Sequence, residues 1–96
     1  MKSQIFNEYV SKIAHSFEMD EQDIFVKSKK REVVDARHLL YYVCSKRPMQ
    51  VVYIQKYMNA RGYIIGHPNI LYGIKQAKKK VKKDKDYADI LKSITT

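Results

Sequence analysis

Apolar residues recur at helical intervals along nearly the whole chain. Ile5, Phe6, Tyr9, Val10, Ile13, Ala14 and Phe17 repeat three and four residues apart, which predicts a first amphipathic helix over about residues 3–17. Met19-Asp20-Glu21-Gln22-Asp23 reads as a cap and first turn, with Asp20 able to accept from orphan amides and Asp23 three residues on. Ile24, Phe25 and Val26 complete this short second helix. A third helix is expected over about 31–46, with Val33, Ala36, Leu40, Val43 and Cys44 on one side and Leu39 at its edge. Pro48 blocks its continuation. A fourth helix over about 50–58 would bury Val51, Ile54 and Tyr57 or Met58, and Gly62 or Asn59 suits a left-handed C-cap. Tyr63-Ile64-Ile65-Gly66 is an apolar connector. Pro68 then starts a fifth helix over about 68–83, with Ile70, Ile74, Ala77 and Val81 inward. Asp84 can cap a last helix over about 84–94 that buries Tyr87, Ile90, Leu91 and Ile94. No segment alternates as a strand would, and no repeat or long linker interrupts the pattern. The expectation is an all-α, compact five- to six-helix domain spanning residues 1–96.

Length and charge narrow the function. Ninety-six residues allow one modest core and no nucleotide-binding domain with a second module. No apolar run approaches the roughly 18–20 residues of a membrane span, and the N-terminal stretch is broken by Asn7, Glu8, Ser11 and Lys12, unlike a signal peptide. Cys44 stands alone, so a reducing, cytoplasmic setting is expected. The net charge is +9 and unevenly placed. Residues 1–26 hold two lysines against five carboxylates, residues 27–37 five basic groups against two acidic, and residues 75–85 seven lysines against Asp84. Two basic blocks point to a polyanion, nucleic acid first. A solvated lysine-rich face accounts for such a run equally simply.

Helix four, its turn and helix five form a helix-turn-helix candidate, in which the second helix would read a DNA groove. Tyr72, Lys75, Lys79 and Lys83 lie opposite the inward stripe of helix five, with Asn69 and Gln76 beside them. Amides can pair with adenine edges, and lysine can reach guanine or phosphate. His67, Pro68 and Asn69 occupy the end where recognition helices meet bases. The wheel alone fits an ordinary amphipathic surface helix as well. Lys27, Lys29, Lys30 and Arg31 precede helix three, with Arg37 near its first turns. Cations at a helix N-terminus oppose the macrodipole, so their placement suggests a partner anion.

The run Lys27-Ser28-Lys29-Lys30-Arg31-Glu32-Val33-Val34-Asp35-Ala36-Arg37-His38 resembles the basic loop and following helix of the DNA-binding domain of the bacterial replication initiator DnaA. Met19-Asp20-Glu21-Gln22-Asp23-Ile24-Phe25 resembles that domain's preceding short helix. Gly66-His67-Pro68-Asn69-Ile70-Leu71-Tyr72 falls where the family has Gly-Arg-Asp-His-Thr-Thr-Val-Leu-His. The resemblance covers roughly residues 5–94 and implies a helical domain of the tryptophan-repressor type. It further implies a monomer binding a short asymmetric box, the recognition helix in the major groove and the basic loop in the minor groove. Lys29 then matches the family's minor-groove arginine, Arg37 and His38 an Arg-Gln pair at the DNA, and His67 the signature histidine. Pro68 and Asn69 replace two threonines, Tyr72 replaces the later histidine, and Gly66 stands at the Asp position. The segment between the helices is about three residues longer, through Arg61 to Ile65. DNA binding is therefore expected to persist more surely than the family's usual box. The initiators' ATPase motif, Gly-x-x-x-x-Gly-Lys-Ser/Thr, is absent from this sequence. A detached domain of this kind suits a phage, a plasmid or a small regulator, working in the nucleoid or the host cytoplasm.

The expected role is sequence-preferring binding of double-stranded DNA in replication or transcription control. His67, Asn69, Tyr72 and Gln76 are the expected base contacts. Lys27, Lys29, Lys30, Arg31, Arg37, His38, Lys75, Lys79 and Lys83 are expected at phosphates or the minor groove. No cofactor, metal, membrane or small-molecule substrate is expected. His15, His38 and His67 lack ligand spacing and Cys44 lies on a core stripe, so the chain reads as non-enzymatic. A host replication protein is a further expected partner. The competing reading is a protein-interaction adaptor that keeps the fold without base reading, through exposed Tyr41, Tyr42, Tyr63 and Ile64. RNA binding through the lysine face is a third.

Overall fold

In the computed structural model, which describes residues 1–95, the periodic segments fold as five α-helices and one 3-10 turn, with no strand among the described residues. They are α1 (Lys2–Ser16), the 3-10 helix Glu21–Phe25, α2 (Arg31–Lys46), α3 (Val51–Ala60), α4 (His67–Lys83) and α5 (Lys85–Thr95). α1 buries Phe6, Tyr9, Val10, Ile13 and Ala14, the inward stripe of its periodicity. It ends at Ser16, and just beyond it Glu18 takes a left-handed conformation (φ 54°). There the Met19 amide donates to Ala14 O at 3.0 Å, turning the chain into the next element. The Asp20 amide donates to the Asp23 carboxylate at 3.2 Å, closing one half of the expected cap. Ile24 and Phe25 are buried, while Val26 is half exposed as the chain leaves for the basic loop.

α2 is the central helix. It buries the predicted Val33, Ala36, Leu39, Leu40, Val43 and Cys44, and also Asp35, Arg37 and Tyr41. Helices pack on more than one of its sides: α1, α4 and α5 all contact it, α4 most extensively. Gly73 permits that closeness. A Cβ there would lie 2.7 Å from Tyr41 Cδ2 and 2.9 Å from His38 Cδ2, inside van der Waals contact. α5 is tied to α2 by the Tyr87 hydroxyl, which donates to Asp35 O at 2.9 Å. Asp84 caps α5, accepting from the Tyr87 amide at 3.2 Å. That bond, ahead of the smaller help from Lys80, holds the Asp84 carboxyl below its ordinary pKa.

Side chains from α3 fix the α3–α4 connector. Gly62 supplies the left-handed turn (φ 90°). Asn59 does not; its Oδ1 accepts from the Ile65 amide at 3.1 Å, while Gln55 Nε2 donates to Ile65 O at 2.9 Å. Both backbone groups of Ile65 are thereby satisfied without regular structure. α4 begins at His67, directly after Gly66, with Pro68 in its first turn.

Candidate nucleic-acid interface

The basic blocks meet where α2 and α4 run side by side. Two grooves flank this seam. One, of about 450 Å³, has Arg31, Asp35, Gln76, Lys79 and Lys83 among its lining residues. The other, of about 350 Å³, is bordered by Lys27 and Lys29 of the basic loop, Tyr63 and Ile64 of the connector, and Asn69 of α4. His38 and Tyr72 line both. Their rings meet edge-on, with centroids 6.1 Å apart at 84°, and form a ridge between the grooves.

Arg37 had been expected at the DNA, and its position corrects that expectation. Its side chain is buried beneath the surface, with the whole residue 5% exposed. Its Nε donates to Ile24 O at 3.0 Å and its Nη2 to Val26 O at 2.7 Å. The guanidinium also lies 4.4 Å from the centre of the Tyr63 ring. One side chain therefore holds the segment leading into the basic loop and the connector leading into α4. Arg37 positions both borders of the second groove, whose wall it also joins, with its guanidinium held by backbone carbonyls.

Tyr41 is also corrected. It is 1% exposed and cannot present an interaction surface, which removes one of the four residues behind the adaptor reading. Its hydroxyl is buried without a hydrogen-bond partner among the described residues. Burial, reinforced by Tyr63, raises its pKa. Of the other three, Tyr42 and Tyr63 are partly buried and Ile64 is 66% exposed.

The remaining candidates are mostly at the surface. Asn69, Tyr72, Lys75, Lys79 and Lys83 are exposed, and Gln76 is half-buried. His67 is exposed at the start of α4 but lines neither groove. Lys30 faces elsewhere, in a depression shared with Glu18, Asp23 and Glu32, because the loop turns where the Lys30 amide donates to Ser28 Oγ at 3.1 Å. Among the described residues, Lys27, Lys29, Arg31, Lys75, Lys79 and Lys83 make no ion pair. Lys80 differs: its Nζ lies 3.5 Å from both Asp35 and Asp84 carboxylates. His38 is half-buried, and burial lowers its pKa; Arg37 adds to this and Asp35 opposes it.

The role of Gly73 is not among the sequence expectations, and Tyr41 was expected to be exposed. Gly73 was legible, since a glycine on the inward stripe between Ile70 and Ala77 signals a close backbone approach. Tyr41 had no such signal. Cys44 is fully buried, and burial pushes its thiol pKa up to about 12, so no thiolate is at hand near neutral pH. No group of three or more His, Cys, Asp or Glu side chains converges as a metal site among the described residues. No described helix is long and apolar enough to cross a membrane. The chain matches no family model, and no curated protein matches it in sequence.

Proposed function

We propose that this domain binds double-stranded DNA through the α2–α4 face, as a non-enzymatic, monomeric module in replication or transcription control. One observation carries the reading: unpaired cations from both basic blocks border two grooves that share the His38–Tyr72 ridge. Unpaired cations gathered on one face leave a strong positive field that a polyanion relieves. In this reading α3 and α4 act as the helix-turn-helix pair. The start of α4 enters the major groove with His67, Asn69, Tyr72 and Gln76 toward base edges. Lys27 and Lys29 reach the backbone or the adjoining minor groove, while Arg31, Lys75, Lys79 and Lys83 hold phosphates. His38 offers its imidazole to the backbone as a hydrogen-bonding group. The DnaA-like run of residues 27–38 supports the same assignment, with Arg37 moved from contact to scaffold.

The test is titration of duplex DNA at several salt concentrations. Six engaged cations predict a log–log slope of affinity against salt near −5, at roughly −0.9 per phosphate. A flat salt response would overturn the phosphate roles. Tighter binding of duplex RNA than duplex DNA in competition would favour the RNA reading. Stoichiometric capture of a host replication protein, with no DNA shift at low salt, would favour the adaptor.

A further inference from the structure

The first two turns of α4 carry an apolar patch on an otherwise cationic helix. Leu71 is 54% exposed and Tyr72 59% exposed, and Pro68 is exposed beside them. Pro68, Leu71, Tyr72 and Lys75 follow at intervals of three and four, so they share one side of the helix. α4 contains no carboxylate, and Lys75 and Lys79, next along that side, have no ion pair among the described residues. A surface that joins bare cations to apolar side chains fits a partner that joins negative charge to apolar groups. The DNA major groove does so: phosphates rim it, and thymine displays a 5-methyl group on its base edge.

We infer that Leu71 and Tyr72 read pyrimidine 5-methyl groups in the major groove, so that the domain prefers A·T pairs beneath the start of α4. The inference rests on the DNA-binding reading and adds a base class to it. Asn69 sharpens the choice. Its side chain makes no hydrogen bond among the described residues and stands at the groove shared with Tyr72, where an amide can pair with adenine N6 and N7. Methyl and amide together select the two halves of one base pair. The same logic admits 5-methylcytosine, which places a methyl at the thymine position.

The experiment measures binding of the chain to four duplexes by fluorescence anisotropy: poly(dA-dT), its deoxyuridine counterpart, poly(dG-dC), and its 5-methylcytosine counterpart. Loss of the methyl should weaken binding about fourfold for each methyl in contact, and methylation of cytosine should strengthen it by a similar factor. Leu71→Ala with Tyr72→Ala should bind thymine and uracil duplexes alike at an unchanged salt slope. Leu71→Ala alone keeps the His38–Tyr72 ridge and should lose part of the discrimination. Equal affinity of the unaltered chain for thymine and uracil duplexes overturns the inference and leaves DNA binding standing. A thymine preference that survives in the double variant also overturns it, because the methyl is then read elsewhere or through DNA shape. Failure to bind any of the four at low salt overturns the DNA-binding reading itself.

Discussion

The two ends of the molecule use charge in opposite ways. Around the 3-10 helix, charges are consumed by folding. The Asp23 carboxylate caps Asp20, and Glu21 lies 3.6 Å from Arg61. Arg61 in turn donates to Asn7 Oδ1 at 3.1 Å and stacks over Phe25 at 4.4 Å, joining α1, the 3-10 helix and the end of α3. Along the α2–α4 face most charges do no such work. Among the described residues Lys80 is the one paired cation there, while Arg31, Lys79 and Lys83 border a groove without an ion pair. Sites that fold the chain have their charges satisfied from within, and a surface left unsatisfied is one that an external anion can complete.

The strongest way to break this contrast is to remove cations from the unsatisfied side. Lys75→Ala with Lys79→Ala and Lys83→Ala should weaken duplex binding roughly several hundred-fold near 0.1 M salt and flatten the salt slope by about 3. Thermal melting should move little, since none of the three makes an ion pair among the described residues. A large fall in melting temperature would show that these lysines are structural after all.

Next is the cation of α2 whose charge is satisfied within the fold. Arg37→Met should destabilise the domain by about 3 kcal/mol, because it leaves the carbonyls of Ile24 and Val26 without a charged donor. Chemical denaturation measures this directly. A variant with native stability but lost DNA binding would return Arg37 to the interface.

Gly73→Ala probes the seam beneath the ridge. The new Cβ must displace the rings of Tyr41 and His38, and overpacking of this kind costs about 2 kcal/mol. A stabilised variant would mean that α2 and α4 stand further apart.

The smallest effect is on pH dependence. Burial lowers the pKa of His38 from 6.5, so protons bind the unfolded chain more readily than the folded one. Its contribution is complete above 6.5 and is lost as the pH falls through that value toward the lower folded pKa. The difference in stability between the unaltered chain and His38→Gln, followed by urea denaturation, should shrink on acidification. A difference that grows on acidification would place a favourable anion beside His38.

Much of the fold was legible along the chain. The expected helices fall within a few residues of the observed ones, and Asp84 and Gly62 cap and turn as their chemistry suggests. The candidate face was legible in part. The exposure of Asn69, Tyr72, Lys75, Lys79 and Lys83 followed from the wheel of α4, but the burial of Arg37 and Tyr41 did not. Arg31 and Arg37 show why. They share a helix and a chemistry, yet one is exposed and the other is buried. Their fates differ because the Ile24 and Val26 carbonyls, brought by another element, lie within reach of Arg37.

Periodicity and end-capping act between residues a turn or two apart, so the sequence by itself determined the helices, their inward stripes and the two basic blocks. Burial of a polar group depends on donors and acceptors distant in the chain. Only the tertiary structure therefore decided that Arg37 holds the loop and the connector, that Tyr41 lies beneath Gly73, and that cations from both blocks border one ridge.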